Sequence, residues 1–320
     1  MVPAPIRLRA FLARTARTHR SFPGRDRFLR VMDNILRSLC PAPIEAKVQG
    51  ATFLLDSEDL VDFRLLYRGV HQSDLLRYIL SRLQDTDAVF WDVGANVGSV
   101  ALSVAAQRPN VRVFAFEPSP AVFGRLLENC RRNPNLAHRV DLRQEALSDV
   151  TGTAPFYASD EPFNSGVGGL GPSGNRVGAP VEVPVRRGDD LIASGAVQAP
   201  NFIKIDVEGY ELEVLRGLER FLSGNPAVEI ILEHEPYRLR ERSLNRWSVV
   251  DYLGNLGFEI RRLDANDAAM TAPLTEATLE QTCELVARKS FASTGWPPQE
   301  TVPSPGNAPA VQGARLIPDT

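Results

Sequence analysis

From residue 88 onward, two hydrophobic periodicities alternate along this chain. Short apolar runs recur, and stretches with apolar positions three or four residues apart separate them. The runs 88–93, 111–117, 140–145, 202–206, 228–233, 258–263 and 283–289 read as strands, and their near-continuous apolar character fits a sheet covered on both faces. Between them the spacing predicts a helix over 99–107 and another after Ser119, an N-cap residue with Pro120 at the first turn. A third helix follows residue 206, with Val214, Leu215, Leu218, Phe221 and Leu222 at core spacing, and a fourth covers 243–256. A helix over 73–83 carries Leu75, Leu76, Ile79, Leu80 and Leu83 on one face just before the first of these strands. Such alternation specifies an α/β fold with a doubly wound, mostly parallel, seven-stranded sheet. No long helix divides the last two strands, so the terminal one is expected to run antiparallel.

The flanks read differently. Residues 1–40 are expected to form a helical arm and residues 41–86 an extension covering the site, whose segment 44–56 reads as strands that pair at a sheet edge or cover the site. The main domain is placed at 87–291. Within it, 153–158 and 181–185 read as lesser β segments and 189–194 as a short helix, while residues 159–180 hold six glycines and three prolines and read as a loop. Residues 292–320 contain six prolines and few charges, too little apolar surface to offset the entropy of ordering, and are expected to be disordered.

Charge sharpens this picture at one end. The net charge of −3 gives the whole molecule no reason to seek nucleic acid, yet residues 1–37 hold nine arginines against Asp26 and Asp33 alone. That bias suits a transit peptide, a membrane-surface helix or a solvated helix face, and the solvated face is the simplest expectation. No apolar stretch approaches the length of a membrane span, so a cytoplasmic protein without stable membrane insertion is expected. Cys40, Cys130 and Cys283 offer neither a disulfide framework nor a paired metal motif.

Candidate chemistry concentrates at strand ends, where open α/β sheets bind ligands. The first core strand ends at Asp92 and turns through Gly94, Asn96 and Gly98 into a helix; the next ends at Glu117, 19 residues beyond Gly98. A dinucleotide fingerprint needs glycine where Asn96 stands, and no phosphate-loop lysine follows. Asp92 would repel a pyrophosphate but suits a ligand bearing an ammonium or a sulfonium, and S-adenosylmethionine bears both. Glu117 is placed to accept hydrogen bonds from ribose hydroxyls. The turn alone is also compatible with a tight strand-to-helix connection. Further acids stand at the later strand ends: Glu145, Asp206 with Glu208, and Glu233 His234 Glu235.

Taken in order, these segments resemble the FkbM-type methyltransferases. The resemblance runs over residues 87–263 and rests on Asp92 to Gly98, Glu117 to Pro120, Asn129, Ala146 to Asp149 with Gly152, Asn164 to Gly166, and Ile203 to Glu211. It implies a Rossmann-like, class I methyltransferase fold and S-adenosyl-L-methionine as cofactor. It also implies that Gly94, Asn96 and Gly98 shape the methionine pocket, that Glu117 and Pro118 lie at the ribose, and that Ala146 and Leu147 lie against the adenine. The segment His71 to Asp74 departs from the family, which often places a Glu after a Tyr there.

The sulfonium is an activated donor, so the enzyme must align an acceptor and manage one proton. Asp206 is the expected general base, next to the cofactor, with Glu208 positioning the substrate and His234 held as a further catalytic candidate; no metal is assigned. Lys204, within an apolar strand, needs a carboxylate partner such as Asp206 or Glu233. The expected activity is O-methylation of a hydroxyl on a sugar or secondary metabolite. The alternatives are a cofactor-binding scaffold without turnover, or N-methylation of a small molecule.

Overall fold

A computed structural model describes residues 4–18, 24–39, 42–83, 87–159, 165–171, 179–264, 266 and 270–289. The chain begins with helices α1 (Ala4–Thr18) and α2 (Arg25–Leu39), hairpin strands β1 (Ile44–Val48) and β2 (Ala51–Leu55), and helices α3 (Leu60–Arg68) and α4 (Ser73–Arg82). The wound part continues as β3 (Ala88–Val93), α5 (Ala101–Gln107), β4 (Val111–Phe116), α6 (Pro120–Arg131) and β5 (Val140–Arg143). Next come β6 (Ala146–Leu147), β7 (Gly152–Phe156), β8 (Val181–Arg186), α7 (Gly188–Ala193), β9 (Phe202–Ile205), α8 (Glu211–Gly217) and α9 (Glu219–Gly224). The last elements are β10 (Glu229–His234), α10 (Pro236–Glu241), α11 (Ser248–Asn255), β11 (Glu259–Leu263), β12 (Thr271–Pro273) and β13 (Cys283–Arg288).

The main sheet has the order β12-β11-β13-β10-β9-β3-β4-β5. From β10 to β5 every neighbouring pair is parallel, and β13 lies antiparallel between β10 and β11. All seven expected strands are present, in the Rossmann-like arrangement the resemblance implies. The sheet has eight strands rather than seven, because β12 adds an edge; three residues ending in Pro273 are too short to show a period.

Other expectations shift at their boundaries. The strand expected over 140–145 stops at Arg143, and Ala146 and Leu147 pair instead with β8 in a separate sheet of order β6-β8-β7. The helix expected over 243–256 begins only at Ser248; Ser243 has φ 56 and interrupts the path from α10. The helix after residue 206 is two short helices that meet at Leu218. The N-terminal arm is a pair of helices packed against one another and against α3. Its arginines are not all solvated, since Arg9 is fully buried and ion-paired to Asp33. The expected disordered tail, together with Cys40 and Asn164, lies outside the described residues.

Two apolar cores sandwich the sheet, and strand alternation divides residues between them. Phe90, Val113, Ala115, Phe202, Ile231 and Val286 face the core made with α1–α6 and the β1–β2 hairpin. Trp91, Val93, Phe114, Phe116, Ile203, Ile205, Ile230 and Leu232 face the other. Strand order reverses between β3 and β9: the chain winds outward through β4 and β5, then returns to the other side of β3. At such a reversal the connections leave the carboxyl ends in opposite directions, and a crevice opens between them.

Candidate active site

The crevice is a cleft of about 290 Å³ walled by the turn after β3, the ends of β4, β9 and β10, β6, and the segment between α3 and α4. That size is near the lower end for small-molecule sites. Its shape depends on the turn. Gly94 (φ 81) passes so close to β9 that an added Cβ would lie 1.8 Å from the Asp206 carbonyl oxygen. At Gly98 a Cβ would meet Leu126 of α6 at 2.7 Å, so both glycines serve the approach of protein to protein. Asn96 adopts φ 50 and its Oδ1 accepts the Val97 N–H at 2.7 Å, a local bond that stabilises this left-handed residue.

Glu117 closes the turn from the neighbouring strand. Its Oε2 accepts the Asn96 N–H at 3.0 Å and its Oε1 the Ser119 N–H at 2.9 Å. Burial pushes its carboxyl up to about 7 in spite of those two bonds. A carboxylate has about four acceptor sites, so two remain for ligand hydroxyls. Pro118, Ala146, Leu147 and Phe156 line the same end.

Asp92 sits elsewhere. It is fully buried and does not line the cleft; its Oδ2 accepts the Ala101 N–H at 2.9 Å, and its Oδ1 meets Lys204 Nζ at 3.1 Å. The register that opposes Asp92 to Lys204 on adjacent strands forms this pair. Lys204 also donates to the Gly94 carbonyl at 3.2 Å and lies 3.3 Å from Asp206 Oδ2. Burial works against its charge, but Asp92 and Asp206 more than offset burial and hold the ammonium above the ordinary lysine range.

Asp206 lines the cleft beside Glu233 and Glu208, and oxygens of the three lie within 4.8 Å of one another. Burial alone would raise the Asp206 carboxyl; the Lys204 charge, then hydrogen bonds from Glu233 and Gln72, hold it below the usual carboxylate range. Gln72 Nε2 donates to Asp206 Oδ2 at 3.4 Å. Glu233 moves the other way, held far above the carboxylate range by burial and then by Asp206, Glu284, Glu235 and Glu208. The two carboxyl groups are thus shifted in opposite directions, Asp206 toward its charged form and Glu233 toward its neutral form. Glu208 sits at φ 57 and lies 3.1 Å from Arg238. Its turn is tied by Glu211, whose Oε1 accepts from the Gly209 N–H at 3.0 Å and the Val207 N–H at 3.3 Å.

His234 does not reach the cleft. Residues 231 and 233 share one face of β10, and residue 234 turns to the other, where the ring is 1% exposed and its Nε2 lies 3.1 Å from the Leu279 carbonyl. Period two separates it from Asp206. His71, Gln72 and Arg64 enter instead, on the wall formed between α3 and α4. Burial, then Arg64, lowers His71 to about 4, so it is neutral at neutral pH. Arg64 has no carboxylate partner among the described residues, and its Nη1 lies 3.5 Å from His71 Nδ1.

The order and spacing of these elements decide the relationship. A family model described as the methyltransferase FkbM domain matches residues 92–261. The chain belongs to the FkbM methyltransferase family. It is similar to the hexuronic acid methyltransferase AglP of Haloferax volcanii, at 38% identity over 184 residues that cover 57% of this chain and 70% of the relative. It is also similar to the 2-O-methyltransferase NoeI of Sinorhizobium fredii, at 29% identity over 55% of this chain and 75% of the relative. The 31-O-demethyl-FK506 methyltransferase FkbM of Streptomyces tacrolimicus matches at 35% identity, with 43% of this chain and 61% of the relative covered.

In this FkbM-family methyltransferase the segment that departs from the family pattern still serves the site, since Gln72 reaches Asp206 while Asp74 pairs outward with Arg77. Neither Gln72 nor Arg64 stood out in the sequence, because both belong to no motif and converge only through folding. The buried lysine in an apolar strand was the legible signal of the charge network.

Proposed function

We propose that this methyltransferase uses S-adenosylmethionine to O-methylate a hydroxyl of a sugar or sugar-like metabolite. The carrying observation is one cleft lined by both Glu117 and Asp206, with the Gly94 turn between them. The residues suit the cofactor. Glu117 has two unused acceptor sites for ribose hydroxyls, Ala146 and Leu147 offer an apolar wall for a base, and Arg64 offers a guanidinium to an amino-acid carboxylate. Asp92, deep beneath the cleft and paired to Lys204, contributes by fixing the turn through Ala101 and Lys204.

When bound, the cofactor supplies a methyl group already activated on a sulfonium. Asp206, kept anionic by Lys204 and by the Glu233 hydrogen bond, accepts a hydrogen bond from the acceptor hydroxyl and so aims an oxygen lone pair. A carboxylate of low pKa suffices as base, because the hydroxyl proton becomes strongly acidic as its oxygen gains a carbon. One relative named for a hexuronic acid supports a carbohydrate acceptor, and one named as a 2-O-methyltransferase supports transfer to oxygen. A scaffold without turnover has no need of an acid held charged by a buried lysine, which favours the enzyme reading.

The test combines calorimetry with transfer of an isotopically labelled methyl group to uronic acids and neutral glycosides. Micromolar cofactor binding and a labelled sugar are the expected results, and absence of binding by well-folded protein would remove the reading. Asp206→Asn is expected to retain cofactor affinity and to lose transfer by about a hundredfold or more.

A further inference from the structure

Six of the nine large apolar side chains exposed among the described residues belong to α1 and α2. On α2, Phe28, Val31, Ile35 and Leu39 recur at helical spacing along one stripe, and on α1 Leu8 and Phe11 stand three residues apart. Phe11 is 66% exposed and Leu39 69%. Arg9 pairs with Asp33 and Arg25 donates to the Ala16 carbonyl, so the helices run antiparallel, which sets Phe11 level with Val31 and Leu8 level with Ile35. Apolar residues on the opposite sides, Ala13, Ala16, Leu29 and Leu36, are already buried. The outer stripe is therefore additional to what the fold requires.

The charges around it have one sign. Arg7, Arg14 and Arg27 are exposed and have no ion-pair partner among the described residues. The two acids of these helices are engaged: Asp26 pairs with Arg68, and Asp33 is buried with Arg9. Self-association across a twofold axis would bring this arginine-flanked face against its own copy without neutralising it. A negatively charged lipid surface would bury the apolar stripe and neutralise the arginines together.

We infer that the α1–α2 pair is a peripheral docking face for anionic lipid headgroups. The pair is presented rigidly, because Arg9 ties α1 to Asp33 of α2, to Ser57 and to the Ala42 carbonyl, and Tyr67 of α3 donates to the same aspartate. Attachment is to the surface only: among the described residues no helix is long and apolar enough to cross a membrane. The enzyme is thereby positioned for acceptors held at a bilayer.

Sedimentation of the full chain with phosphatidylcholine vesicles, with and without phosphatidylglycerol, tests this. The protein should pellet with the anionic vesicles alone. Combined Arg7→Glu, Arg14→Glu and Arg27→Glu should weaken partitioning on the order of a hundredfold, since each arginine contributes about fivefold. Phe11→Ser with Ile35→Ser should release the protein as well, while cofactor binding by calorimetry stays unchanged and shows that the variants are folded. No pelleting with anionic vesicles, or pelleting indifferent to both sets of changes, overturns the inference. A lipid-free dimer dissociated by the Phe11 and Ile35 changes also overturns it and assigns the face to a second copy of the chain.

Discussion

Asp206 and Glu233 both line the cleft, and their carboxyl groups are shifted in opposite directions. Lys204 favours the anion on Asp206 against its burial, whereas burial and then the surrounding carboxylates favour the neutral form of Glu233. A neutral donor should therefore replace Glu233 well. Glu233→Gln is expected to keep kcat within about threefold, because the amide N–H repeats the hydrogen bond to Asp206. A hundredfold loss in that variant would instead make Glu233 the ionised base. The division of labour between these residues was only partly legible. Asp206 stands at a strand end within a motif, whereas the upward shift of Glu233 follows from its burial and from five carboxyl groups converging through β9, β10 and β13, which sequence spacing does not report. His234 shows the reverse case: its chemistry is suggestive, and one residue of strand register removes it from the site.

Among the elements, the turn from β3 to α5 joins the two ends of the cleft. Its conformation depends on Glu117, which holds the Asn96 N–H from the next strand, so the carboxyl group proposed to bind the ribose also sets the turn geometry. Burial pushes this carboxyl up to about 7. Ribose hydroxyls donate to the ionised form, so affinity for S-adenosylmethionine should strengthen as pH rises from about 6 to about 8, by up to about tenfold. For folding the sign is opposite. The folded state keeps a proton that the unfolded chain releases at its lower carboxyl pKa, so this group's contribution to stability falls as pH climbs toward 7. Calorimetry across that range should show the affinity trend, and Glu117→Gln should flatten it. The core strands and the helices beside them were legible because their periods are strong. The break at Ser243, the split at Leu218 and the edge strand β12 were not, since each depends on backbone geometry or pairing that a few residues of local pattern cannot encode.

At the scale of the molecule, the α1–α2 pair is joined to the rest through a buried polar centre. Arg9 donates at 3.0 Å to Asp33, at 2.8 Å to Ser57 and at 2.7 Å to the Ala42 carbonyl, with no exposed surface of its own. Arg9→Ala leaves Asp33 buried without its cation and should cost about 3–5 kcal/mol, read as a lower denaturant midpoint. Preserved cofactor affinity in the folded fraction would show that the damage is remote from the cleft. A different consequence follows from the place of β13. Cys283–Arg288 is the last strand in chain order among the described residues, yet it lies inside the sheet, between β10 and β11. Both of its neighbours precede it in the chain, so β10 and β11 are joined only once this later strand inserts between them. Until this strand is placed the main sheet is split in two, and Glu284, the carboxyl group opposite Glu233, takes its position only with it.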